Sequence, residues 1–261
     1  MRLAEPFRRL DERVVPLLAD ALRWCGRLFR QRPWTVISGA SMVLVLVVAV
    51  AWWAGQGGSP SPALAAARVG VAPGESVAGY ALASRAELRN LVTADPNHQV
   101  FALVTLTAYL APERLTPLSR GLAVSAVFVR VPGPPAEARI ARIDAFRIPQ
   151  DVAAGMDQLA LRRDGEVVDI GEVIKGLPGR TPSERRLLAS YRAQQQRAAT
   201  ESAAYRGRCS CVYALVVRAT PGKLTQVAAR SEVRTVDVAP EVRRLDRAVF
   251  LPPLPEQSGK G

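Results

Sequence analysis

Three patterns of apolar and polar positions divide the chain. From Trp34 to Gly55 the run WTVISGASMVLVLVVAVAWWAG contains no charged residue. A helix needs about 20 apolar residues to cross the hydrocarbon core, and only a helix satisfies its own backbone there. The run therefore predicts one transmembrane helix. Arg23, Arg27, Arg30 and Arg32 precede it, and no charge follows until Arg68. The positive-inside rule then places the N-terminus in the cytoplasm and the C-terminal domain outside. A cleaved signal peptide is the rival reading, since Ala63-Leu64-Ala65 has the small-x-small form of a cleavage site. The 33 residues before the run and the distance of that site beyond it favour an uncleaved signal anchor.

The second pattern is helical. Within PLLADALRWCGRLFRQRP (16–33), Leu17, Leu18, Ala21, Leu22, Trp24, Cys25, Leu28 and Phe29 share one arc, opposite Asp20, Arg23, Arg27 and Arg30. Segment 1–33 thus reads as a basic amphipathic helix in the inner-leaflet interface, with Arg23, Arg27 and Arg30 against anionic headgroups. Two alternatives stay open. Leu3, Phe7, Leu10, Val14, Leu17, Ala21, Trp24 and Leu28 keep heptad spacing, as a coiled-coil dimer would, although Pro16 interrupts it. A disordered basic tail that only orients insertion is the other.

The third pattern follows the Gly/Ser/Pro linker of residues 56–67 and alternates helix-like and strand-like segments through 68–250. VFALVT at Val100 returns as VYALVV at Val212. The match extends to Pro112/Pro221, Arg114/Lys223, Leu115/Leu224 and Thr116/Thr225, then to Val124/Val233, Val127/Val236 and Val129/Val238. Thr220-Pro221-Gly222-Lys223 has Pro and Gly where a type II turn between two strands wants them. Upstream, Ser84 to Glu87 and Thr181 to Glu184 fit the capping-box pattern of a helix start. The expected fold is α+β, with two similar helix-strand-strand units, about 76–131 and 181–239, on a mostly antiparallel sheet. Between them, Ile140, Ile143, Phe146 and Ile148 suggest a strand. Asp151 to Leu161 suggest a short helix, Arg163 to Glu166 a turn, and Glu172 to Pro182 a loop. The tail 251–261 reads as extended, then disordered.

Composition adds little. From Arg68 onward the chain has 27 basic and 19 acidic residues, most of the former arginine. An arginine- and alanine-rich bias is expected from a G+C-rich coding sequence, so the charge is weak evidence for an anionic partner. Compartment disfavours nucleic acid, and the absence of tryptophan after Trp53 lowers the prior for a carbohydrate platform.

Candidate chemistry is sparse. Cys209 and Cys211 could form a local disulfide outside the membrane. An extended strand would hold their α-carbons about 6.6 Å apart, near the upper limit, and a turn at Gly207-Arg208 would shorten that. Two buried thiols are the alternative. His98, the only histidine, sits in a DPN turn and lacks a second imidazole for a metal site. Asp169 and Glu172 could pair as carboxylates, a common surface arrangement. Gly70, Gly74 and Gly79 are not followed by the Lys-Ser/Thr of a phosphate loop.

No cofactor or metal is expected, and no enzyme. The expectation is a non-catalytic single-pass protein of the cell envelope. Its extracytoplasmic domain would act as an interaction or scaffold module, with membrane lipids and another envelope protein, or a second copy of itself, as partners. A single-pass sensor that binds a small ligand outside and signals through the cytoplasmic helix is the alternative.

Overall fold

The computed structural model describes residues 67–72, 74–133 and 139–257. The apolar run 34–55 expected to span a membrane, the arginines Arg23, Arg27 and Arg30, the linker before Ala67 and the last four residues lie outside them. Among the described residues no helix is long and apolar enough to cross a membrane. The domain is α+β, with five α-helices among the described residues and a five-stranded sheet whose pairings are all antiparallel.

In chain order the elements are β1 (Ala67–Gly70), α1 (Val77–Ala94), β2 (Val100–Leu110), α2 (Leu115–Ser119) and β3 (Ala123–Val129). Then come β4 (Ala141–Asp144), α3 (Gln150–Lys175), α4 (Pro182–Arg206) and β5 (Val212–Ala219). The last are α5 (Pro221–Ala228), β6 (Val233–Ala239) and β7 (Ala248–Leu251). The sheet runs β4-β3-β5-β2-β6, while β1 and β7 form a separate parallel pair. β2 and β3 are both antiparallel to β5, hence parallel to each other. β5 and β6 are likewise parallel, with β2 between them. Two split β-α-β units, β2-α2-β3 and β5-α5-β6, therefore interlock in a ferredoxin-like order, and β4 extends one edge.

This topology corrects the expected turn. Thr220 to Lys223 is not a link between paired strands but the start of α5, with Pro221 at its first position. Proline with its φ near −65° suits the second residue of a turn and the first of a helix alike. Burial decides between them, because Leu224 and Val227, three apart, both enter the core. Pro112 opens a short 3-10 turn (Pro112–Arg114) into α2 in the same way, and Leu115 is buried as Leu224 is. Each unit thus has a helix between its strands, and the strands do not pair with each other.

Two further boundaries differ. α1 starts at Val77, where the Ser76 hydroxyl accepts from the Gly79 N–H (3.0 Å). Ser84, expected to cap, is buried inside the helix and bonds the Tyr80 carbonyl. The expected turn at Arg163-Asp164-Gly165-Glu166 lies within the 26-residue α3. Its polar residues face partners along α4 and beyond: Asp164 accepts from the Ser202 hydroxyl (2.6 Å) and pairs with Arg206, and Glu166 holds Arg139 (2.7 Å). Tertiary contacts override local turn preference here. At Thr181 the full capping box is present, with Glu184 N–H on the threonine hydroxyl and Thr181 N–H on the Glu184 carboxylate, both 3.2 Å.

β5 is the central strand, and Val212 to Val217 are all buried, as a strand covered on both faces requires. On one face α2, α5 and the first half of α3 supply Leu115, Leu118, Leu224, Val227, Val152, Met156 and Leu159. On the other, Val69 of β1, Phe250 of β7, Val242 and Leu254 pack on Leu103, Phe128, Tyr213 and Val216. The two edges are treated differently. α1 packs along β6; its Tyr80 hydroxyl bonds Asp237 of β6 (3.0 Å), and its Leu88 joins the helix-side core. Among the described residues β4 is the outermost strand at the other end and pairs only with β3.

Candidate functional site

The free edge of β4 is bordered by a groove of about 350 Å³, walled on one side by Arg142, Ile143 and Asp144 and on the other by Asp151, Ala154, Gly155, Gln158 and Arg162 of α3. Ile143 anchors the strand by turning its side chain into the helix-side core. Gly155 lets α3 approach: a Cβ there would lie 2.2 Å from Ile143 Cγ2 and 3.2 Å from its Cβ. At the helix entrance the Asp151 carboxylate accepts the backbone N–H groups of Phe146 (2.9 Å) and Arg147 (2.8 Å), and also binds the Arg147 guanidinium. The Arg147 N–H and then the Phe146 N–H hold this carboxyl below its usual range. The connection from β4 into α3 is thereby fixed at the mouth of the groove.

The edge has a definite polarity. Ala145 N–H bonds the Ser125 carbonyl of the neighbouring chain segment (3.2 Å), so alternation turns the peptide groups of Ile143 toward β3 and those of Arg142 and Asp144 outward. Side chains alternate as well. Ile143 points to the helices, whereas Arg142 and Asp144 share the opposite face, where the Arg142 Nε bonds the Asp144 carboxylate at 3.1 Å. Ile140 and Phe146, which flank the strand, are 50% and 72% exposed. Gly155→Ala is expected to push α3 off Ile143 and cost about 2 kcal/mol, the ordinary range for overpacking. An unchanged melting temperature in thermal denaturation would show that the strand and helix can separate freely.

A second concavity, of about 390 Å³, lies between residues 130–133 after β3 and Ala193, Gln196, Arg197, Thr200 and Glu201 of α4. Arg130 is 1% exposed; it donates to the Tyr109 hydroxyl and the Gly133 carbonyl, both 2.7 Å, and pairs with Glu256. Glu201 pairs with Arg163 (2.6 Å), which also binds Glu166. Burial, with Glu201 nearby, pushes the Tyr205 phenol up to about 12. Against the opposing effect of its partial burial, Arg139 and Arg163 hold the Glu166 carboxyl below its ordinary value. Gln196, Arg197, Thr200 and Glu201 line the cleft with polar side chains.

The third polar cluster is structural. The Asp237 carboxylate accepts from the Tyr80 hydroxyl and the Gly70 N–H (2.9 Å), tying α1 and β1 to β6. Burial raises this carboxyl above its ordinary value, and the bonds from Tyr80 and Gly70 only partly offset it. A carboxyl raised on folding stabilises the fold fully below its unfolded value, about 3.9, and loses that contribution as pH rises through the folded value. Asp237→Asn is thus expected to raise the melting temperature at pH 7, with the gap from the parent closing below about pH 4. No gain at pH 7 would mean that the two donors hold the carboxylate after all.

The residues singled out in the sequence do not converge. Cys209 and Cys211 are joined by a disulfide with α-carbons 5.3 Å apart, after Arg208 turns the chain at φ +54°. His98 is exposed, its N–H on Asp95 (3.3 Å). Asp169 and Glu172 are exposed on α3, and Glu172 pairs with Lys175 instead. Among the described residues no group of three His, Cys, Asp or Glu could hold a metal ion. Arg130 and Asp237 were missed, although a charge inside each valine-rich strand pattern, VFVRV and VRTVDVA, was there to find them. Against protein-family models, curated proteins and solved structures, the chain has no match.

Proposed function

We propose that the chain is a non-catalytic, single-pass membrane protein of the cell envelope, with a cytoplasmic N-terminus and an extracytoplasmic interaction domain. The charge-free run at Trp34 to Gly55, with four arginines before it, supports the anchor and its orientation. The matched register of Pro112/Pro221, Leu115/Leu224 and Val127/Val236, all buried at like places in the two split units, supports an internal duplication. The observation that carries the interaction role is the free β4 edge. Its outward peptide groups border an open groove, while the edge at β6 is packed against α1. Strand addition to such an edge gains main-chain hydrogen bonds, and side-chain pockets give specificity.

The test is in-cell crosslinking of the full chain, with mass-spectrometric identification of what is joined to residues 68–261. Asp144→Pro removes one outward N–H while leaving the β3 side of the strand paired. A crosslinked protein lost in this variant supports the reading; crosslinks indifferent to it, or none, sink it. The cleft beside Arg130 and Glu201 favours a second reading, a sensor for a small polar ligand. A small molecule that co-purifies with the full chain, and is lost on substitution of Thr200, would favour that one.

A further inference from the structure

The β4 edge is complementary to itself. Two copies of an edge strand can pair antiparallel about a two-fold axis, and the charge pattern distinguishes the registers. Centred on Arg142, the pairing sets arginine against arginine; centred on Asp144, it sets aspartate against aspartate. Like charges directly opposite destabilise a sheet. Centred on Ile143, it sets Arg142 of each copy against Asp144 of the other, and the four charges alternate in sign.

The backbone permits this register. Arg142 and Asp144 are the residues whose peptide groups face outward. Opposed across the axis they form hydrogen-bonded pairs, with the two Ile143 residues as the non-hydrogen-bonded pair between them. We infer that the occupant of this edge is a second copy of the chain, joined through β4 in the Ile143-centred register to give a continuous ten-stranded sheet with two-fold symmetry. The inference rests on the interaction reading above and names the partner.

Two other features fit it. In a continuous antiparallel sheet the two-fold axis stands perpendicular to the sheet, so each face of one copy continues as the same face of the other. β1, where the chain enters the domain, packs on the face away from α2, α3 and α5. The two copies of β1 would thus lie on one face of the joined sheet. The groove also leaves room beside the edge, and the α3 stripe that borders it through Ala154 and Gln158 continues at helical spacing to Leu161 and Val168. Those two are 66% and 62% exposed. They extend the surface that would face the second copy.

The test uses the full-length chain in detergent micelles, with two tags for co-purification and sedimentation for mass. The parent is expected to dimerise. Arg142→Asp alone, or Asp144→Arg alone, places like charges opposite twice across the axis and should weaken self-association by about 10- to 100-fold. A mixture of the two single variants restores complementarity at both positions and should recover the mixed dimer; the double variant Arg142→Asp/Asp144→Arg should recover its own. Both side chains are exposed, and an unchanged circular dichroism spectrum verifies folding. Single variants that associate like the parent, or a mixture that stays apart, overturn the β4 pairing. A monomeric parent whose Asp144→Pro variant loses a crosslink to a different envelope protein overturns self-pairing but leaves the interaction reading standing. A monomeric parent with no such crosslink sinks both.

Discussion

Leu115→Ala and Leu224→Ala are each expected to lower the unfolding free energy by about 3 kcal/mol, and to do so nearly equally. Both leucines are fully buried in the helix-side core, each in the first turn of the helix that joins the strands of its split unit. Removing three carbons from either leaves a cavity against a sheet whose central strand cannot shift to fill it. For a domain of this size that loss corresponds to a fall in melting temperature of about 10 °C. The readout matters, because all four tryptophans lie in the first 53 residues and the domain holds all five tyrosines. Tryptophan fluorescence would miss the transition, so tyrosine near-ultraviolet or far-ultraviolet circular dichroism is the measurement. A large cost at one leucine and a negligible one at the other would argue that the two units are not equivalent.

Arg130→Met is expected to cost about 2 to 3 kcal/mol and to release the C-terminal segment first. The guanidinium joins the Tyr109 hydroxyl of β2, the Gly133 carbonyl and Glu256, so one side chain ties the last residues across the end of the sheet. Tyr109 also donates to Glu256 (2.9 Å), and Arg234 bonds the Leu254 carbonyl (3.1 Å). Glu256 is part-exposed and can turn to water when its partner is lost, which keeps the cost below that of a fully buried ion pair. Arg130→Lys should not restore stability, because an ammonium cannot reach three acceptors with the geometry of a planar fork. Limited proteolysis reads the effect: cleavage among residues 252–257 should appear in the variant before any loss of helix signal. Simultaneous loss of both would place Arg130 in the global core.

The strands were legible because burial on both faces imposes a continuous apolar run, and Val212 to Val217 could hardly be anything else. The capping box at Thr181 was legible because two side chains three apart carry it without outside help. The helices between the strands were not. Eight residues at Pro221–Ala228 hold only three buried apolar positions, Pro221, Leu224 and Val227, too few to set a period, and their Pro-Gly opening reads equally as a turn. Arg163 to Glu166 misled for a different reason. Their charges satisfy α4 and Arg139 in three dimensions, and no local pattern reports that. The free edge was half visible: Ile140, Ile143 and Phe146 marked a strand, but which strand ends a sheet depends on strand order, which no periodicity encodes. The buried Arg130 and Asp237 stood in plain view within apolar strands and were passed over because they matched no motif.

The long hairpin of α3 and α4 separates β4 from β5, and it has a kinetic meaning. Every pairing of β5 with β2 joins residues more than a hundred positions apart, as Leu103 with Val216. Ring closure over such a span is slow when the intervening chain is a coil. Two antiparallel helices of 26 and 25 residues, joined by a short connection, fold locally and return the chain to where it left the sheet. Amides of α3 and α4 should accordingly gain protection from exchange before those of β5 in pulse-labelled refolding. The central strand, first to draw the eye in the sequence, would then be among the last to find its place.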